Sequence, residues 1–308
     1  MSYKKDCYYD WRDLESAGTP DEENLSLPFL AYGLFKPHQL AYSQIKRFVD
    51  GKPKKVKINY ELKNVNGIPV LENKISNDEV DASIIKFEKD MEEDAYEAIG
   101  YTKNMHIYRW EVINVNNQNV NVLMYSDSKD FPGRTDTYNN YDWRNDPVFE
   151  STFEYLDWQT TQLKSMPYKY QWDDLRPFIG VQSLYMTLWS SLDRFLTLRY
   201  GKSQRKNVKL LSREKSFRKS LKKNHAAMKE SFYGGEGTWS DKIFSAEDLE
   251  SYDLDPKRPA CSALYYYTLR NNVVHSSKVN PQEVNTVWNA LLGLTEIFRD
   301  VFNAVKKE

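Results

Sequence analysis

The chain has 308 residues, 40% of them hydrophobic and 28% charged, a balance that excludes a disordered chain and leaves room for about two domains. Its two cysteines, Cys7 and Cys261, stand far apart, which excludes a disulfide framework and a cysteine metal cluster. The net charge of −1 conceals a split, because residues 171–308 hold 22 basic and 16 acidic residues and the rest of the chain 21 and 28. The two parts therefore face different partners, or each other.

The opening residues, MSYKKDCYYDW, lack the apolar core of a signal peptide. No run of the sequence reaches the length that spans a bilayer. The expectation is a cytoplasmic protein with no membrane association. Residues 1–24 read as a polar arm. Pro28–Phe35 (PFLAYGLF) is an apolar run with the length of a buried strand entering a turn. Gln39–Val49 has helical character and ends near Gly51. Lys54–Lys63 alternates as a strand, with Val56, Ile58, Tyr60 and Leu62 on one face, and Asn64–Pro69 is a turn holding Gly67. Ala82–Phe87 predicts a strand, and Glu92–Ile99 a helix stopped at Gly100. His106–Asn114 and Asn119–Tyr125 predict a hairpin that turns at Asn116–Asn117.

Ser126–Asp146 is rich in Asp, Asn, Gly and Pro and reads as a connection. Pro147–Leu163 has helical character, and Met166–Pro177 is a second break. From Phe178 onward the pattern is helical. Val181–Arg199 places Val181, Leu184, Tyr185, Leu188, Leu192, Phe195 and Leu196 at helical spacing. Ser212–Glu230 predicts a basic helix, Tyr233–Pro259 an excursion, Ala260–His275 a helix and Pro281–Lys306 a long amphipathic closing helix.

The chemistry concentrates in Leu264–Lys278, LYYYTLRNNVVHSSK. His275 moves a proton near neutral pH, and Arg270 holds charge that develops on phosphate. Five positions along a helix leave these two about 140° apart. Asn271 and Asn272 share the histidine's face better. One chain alone makes an awkward site, whereas two copies about a two-fold axis bring both pairs into one cleft.

The segments SLYMTLWSSLDRFLTLRYG and YYYTLRNNVVHSSK together resemble the HEPN family of helical domains, over about residues 178–305. The positions that carry the resemblance are Trp189, Asp193, Arg270, Asn271, His275 and Lys278. Many such domains are dimeric ribonucleases, often toxins or antiviral effectors. The resemblance therefore implies RNA as substrate, a homodimer through the helical domain, and an inhibitor or antitoxin protein as a partner. It implies His275 as proton carrier, Arg270 as the group that stabilises the charged phosphate, and Asn271 as their orienter. Asn272 and Lys278 are supporting residues. Asp193 either positions Arg270 or pairs with an arginine to hold helices together. No cofactor and no metal are implied.

Between Arg199 and Lys229 stand 12 basic residues and one acid, Glu214. Such one-sidedness suits a phosphate-binding surface, with Lys209, Arg213, Lys219, Lys222 and Lys223 as the RNA-binding candidates.

In the other half, Tyr32-Gly33-Leu34-Phe35, Gly100, Tyr108, Arg109 and Tyr125 resemble the gamma-glutamylcyclotransferase-like fold over about residues 27–126. That resemblance implies a ligand pocket at Tyr32, Gly33, Leu34, Phe35, Arg109 and Tyr125. The position of the family's catalytic acid is occupied by Ile99, and Glu97 is the nearest carboxylate, so cyclotransfer is not expected.

The fold class expected is α+β. A mixed, β-barrel-like cyclotransferase-like domain (1–126) leads through a connecting segment with a helix (127–177) to an all-α HEPN-like bundle (178–308). The function expected is endoribonuclease. The alternatives are a non-cleaving RNA- or protein-binding module, and a cyclotransferase using Glu97 with the helical domain as dimeriser.

Overall fold

The structure, a computed structural model, describes residues 16–65, 68–102, 107–126, 135–137, 142–165, 176–201, 203–225, 239–245, 248–276 and 281–308. The protein is α+β. It divides into two compact units, residues 1–143 with 198–202, and residues 144–197 with 203–308.

The first unit is built on a mixed six-stranded sheet. Its strands are β1 (Phe29–Ala31), β2 (Lys54–Val65), β3 (Ile68–Ile85), β4 (Tyr108–Val115), β5 (Gln118–Tyr125) and β6 (Thr135–Thr137). The order is β4-β5-β1-β3-β2-β6, and among these pairings that of β1 with β5 is parallel and the rest antiparallel. Alternation along the strands puts Leu30, Ile58, Leu62, Val80, Ile84, Val122 and Met124 into one buried cluster, as period-two patterning requires. A separate aromatic cluster joins Phe29, Phe87, Tyr96 and Trp110 edge to face, with Tyr96 supplied by α2 (Glu92–Thr102). The Tyr96 hydroxyl is satisfied inside this cluster: it donates to Leu27 O and accepts from Asn121 Nδ2 at 2.9 Å.

The hairpin of β4 and β5 turns at Asn116 and Asn117, both at positive φ (52° and 63°). Two consecutive left-handed residues match the right-handed twist of the strands, and asparagine tolerates that conformation better than most side chains. Gly100 is required for a different reason. A Cβ there would lie 1.8 Å from Gly18 O, where the segment before Gly18 docks through Ala17 N to Gly100 O at 3.1 Å.

Four expectations for this unit need correction. The strand expected over Pro28–Phe35 is only Phe29–Ala31, and Gly33–Lys36 is a turn closed by Lys36 N to Gly33 O. The helix expected over Gln39–Val49 is one short α turn, α1 (Tyr42–Ile45), followed by a 3-10 turn. The strand expected over Ala82–Phe87 is the end of an 18-residue β3. Its register against β2 slips between Ile58/Tyr60 and Tyr60/Leu62, so polar Glu72–Glu79 breaks the alternation that marks a strand in sequence. The connecting segment contains β6, which pairs with β2.

The second unit contains α3 (Pro147–Ser165), most of α4 (Arg176–Tyr200), α5 (Gln204–Leu211), α6 (Lys215–Asn224), α7 (Pro259–Ser276) and α8 (Pro281–Lys306). Asp146 starts α3 as an N-cap, its Oδ1 accepting from Val148 N at 3.0 Å. Its Oδ2 accepts from Arg194 Nη2 at 2.7 Å and Nε at 3.2 Å, which ties α4 to the same point. Phe149, Phe153, Phe195, Phe298 and Phe302 interlock among α3, α4 and α8. α6 packs on α8 and buries Phe217 and Leu221.

The unit is not purely helical. A short antiparallel hairpin, β7 (Lys242–Phe244) and β8 (Ser251–Asp253), lies in the excursion and packs on α7. Arg205 of α5 fastens the hairpin through Asp248 and through Tyr252 Oη. The basic helix expected over Ser212–Glu230 is the shorter α6, preceded by a turn at Ser212–Glu214 that follows α5, and residues 226–230 lie outside the described residues. No helix among the described residues is long and apolar enough to cross a membrane.

Candidate functional site

The site grows from the crossing of α4, α5 and α7. The apolar stripe of α4 turns Trp189 inward, where its ring meets Tyr267 of α7 edge to face at 6.1 Å. One turn further along α4, Asp193 sits half-buried and accepts from Gln204 Nε2, at the start of α5, at 3.1 Å. On α7, one helical turn after Tyr267, the chain reaches Arg270, whose Nη1 donates to Asn271 Oδ1 at 2.9 Å.

Burial raises the pKa of the Asp193 carboxyl above its ordinary value, opposed by the Gln204 hydrogen bond and by the positive charge of Arg270. Asp193 and Arg270 are thus electrostatic neighbours without a direct ion pair between them. A guanidinium without a carboxylate clamp among the described residues keeps donors for another anion.

The structure brings together Trp189, Asp193, Arg270 and Asn271, and adds Gln204, which sequence reasoning missed. Nothing in the sequence marks Gln204, because its role depends on the turn that folds α5 back on α4. Asn272 goes elsewhere: its Nδ2 donates to Phe244 O at 3.2 Å, so it fastens the β7–β8 hairpin to α7. His275 lies on the last turn of α7 by its backbone, and its side chain and all of Lys278 lie outside the described residues.

On and between α5 and α6, Lys209, Arg213, Lys219 and Lys222 are exposed and make no ion pair among the described residues. Lys223 differs, with Nζ 3.6 Å from Asp300 Oδ2. Elsewhere in this unit Arg194, Arg258, Arg299 and Lys306 are all ion-paired.

In the first unit, the residues expected to form a ligand pocket are divided among the described residues between a small cavity and the exposed face of β4. Tyr32 is buried, with its hydroxyl donating to Leu123 O at 2.6 Å and accepting from Leu71 N at 3.4 Å. Burial pushes its pKa well above the ordinary tyrosine value. The cavity that Tyr32, Gly33, Leu34 and Phe35 line has a volume of about 10 Å³, room for no more than a single water. Arg109 is on the exposed side of β4, paired with Glu111 Oε1 at 2.9 Å. Its neighbour Tyr108 takes the buried side and donates to Pro69 O at 2.7 Å. Tyr125 pairs with Tyr108 across the strands and is half-buried. Ile99 is fully buried and Glu97 is exposed, so neither puts a carboxylate into the cavity.

Comparison of the chain with protein-family models, with curated proteins and with solved structures gives no match.

Proposed function

We propose that this protein is a dimeric endoribonuclease of the HEPN type, with a barrel-like cyclotransferase-like domain that has lost cyclotransfer. The observation that carries the reading is the gathering of Arg270, Asn271 and Asp193 at one helix crossing, in the unit that bears Lys209, Arg213, Lys219 and Lys222, exposed and without an ion pair among the described residues. The chemistry follows from these groups. The ribose 2′-hydroxyl attacks the adjacent phosphorus, its proton passing to His275. Arg270 stabilises the added negative charge. The bond from phosphorus to the 5′-oxygen breaks, that oxygen takes a proton, and the products are a 2′,3′-cyclic phosphate and a 5′-hydroxyl. Arg270 and His275 come from two copies of the chain meeting in one cleft. A role as a toxin or antiviral effector, held by an inhibitor protein, extends the same reading.

The second reading is an RNA-binding protein that does not cut. These exposed cations, without ion pairs among the described residues, support it independently of His275. The cavity of about 10 Å³ at Tyr32 weighs against a cyclotransferase. Incubating the protein with RNA and with the same sequence carrying 2′-deoxyribose separates the readings. Cleavage of RNA alone, leaving cyclic phosphate ends, supports the nuclease. Retention of uncut RNA supports the binding protein.

A further inference from the structure

We propose that the groove between α6 and the end of α8 is a subsite for a nucleoside phosphate, presented as one unit of an RNA strand or as a free nucleotide. As a strand subsite it rests on the ribonuclease reading, and as a nucleotide site it does not. The groove has a volume of about 590 Å³, within the usual range of small-molecule sites.

Its two walls differ in chemistry. Lys215, Lys219 and Lys223 stand one turn apart on α6 and all line the groove. Lys223 is met by Asp300 Oδ2 at 3.6 Å, so Lys215 and Lys219, like charges whose spacing makes them repel along a helix, are the pair that favours an anion. Lys215 and Lys219 make no ion pair among the described residues. The facing wall is α8 and the chain end after it, with Asp300, Ala304 and Glu308. Asp300 is fixed in place, because its Oδ2 accepts from the buried Ser220 Oγ at 2.7 Å. Its Oδ1 has no hydrogen bond among the described residues.

The groove thus offers Lys215 and Lys219, beside Glu214, on one side and a held acceptor on the other. Inorganic phosphate satisfies only the first wall and is repelled by the second. A nucleotide satisfies both, with its phosphate between Lys215 and Lys219 and an amino or hydroxyl donor of its base or ribose toward Asp300.

Calorimetric titration of the full-length His275→Ala protein tests this, using 5′-AMP, 5′-UMP, inorganic phosphate and a short single-stranded RNA. Nucleotides are expected to bind about tenfold tighter than phosphate, the value of one charge-assisted hydrogen bond. Lys215→Gln and Lys219→Gln should each weaken nucleotide and RNA binding by about tenfold. Asp300→Asn, which removes the repelling charge and releases Lys223, should weaken the nucleotide and strengthen phosphate. Saturable binding of mononucleotides marks a nucleotide site, and binding of RNA alone, with the same lysine dependence, marks a strand subsite. Unchanged affinity in both lysine variants, or phosphate binding as tightly as the nucleotides, overturns the proposal. Because this protein lacks His275, absence of cleavage by the natural chain does not bear on the result.

Discussion

The RNA binding proposed above carries a salt dependence set by the cations that have no ion pair among the described residues. Lys209, Arg213, Lys219 and Lys222 are exposed and without ion pairs among the described residues, whereas Lys223 is engaged by Asp300. Each phosphate contact to a single strand contributes a slope of roughly −0.7 in log affinity against log salt, so four contacts give about −2.8. Raising salt from about 50 to about 200 mM then weakens binding by about 50-fold. Lys219→Gln or Lys222→Gln should each flatten the slope by about 0.7. Lys223→Gln should change it less, because that charge is already met by Asp300. The assay is fluorescence anisotropy of labelled single-stranded RNA with the His275→Ala protein, which is expected to hold RNA without cutting. A slope near zero, or one that Lys219→Gln leaves unchanged, would remove these cations from the RNA path.

Other consequences are equally specific. Burial raises the Asp193 pKa, so its contribution to stability is present below the unfolded value and is lost as pH rises through the folded one. Asp193→Asn should therefore raise the melting temperature at neutral pH and not at about pH 3, while lowering RNA cleavage; thermal scans and a cleavage assay at matched pH check both. Arg194→Met strands a carboxylate whose side chain is 5% exposed and should cost about 3 kcal/mol in urea unfolding. Adding Asp146→Asn, which keeps the cap on α3, should recover most of that loss. Gly100→Ala drives a methyl into Gly18 O and should cost about 1–3 kcal/mol, read as a lower urea midpoint.

Elements with clean periodicity were legible before the fold was known. α4 carries its apolar stripe without interruption, and Asn116–Asn117 names its own turn. Elements with irregular pairing were concealed. β3 runs through Glu72–Glu79 because β2 and the ion pairs of Lys57 and Lys63 hold it, not because its own pattern alternates. The β7–β8 hairpin is short and acidic, held by Arg205 and Asn272, partners distant in sequence. The same distinction runs through the site. Trp189, Asp193 and Arg270 were visible because each lies on a long helix. Gln204 was not, because it depends on how α5 folds back. Arg109 was misplaced by parity, since adjacent residues of a strand face opposite sides and Tyr108 takes the buried one.

A cleft that needs Arg270 of one copy and His275 of another can be probed by complementation. Arg270→Ala and His275→Ala proteins, each expected to be inactive alone, are mixed, allowed to exchange subunits, and assayed on RNA. Cleavage is expected to return in the mixture, because the mixed dimer holds one intact arginine and one intact histidine. A mixture as inactive as either variant, with exchange shown by mass, would contradict a site shared between two chains.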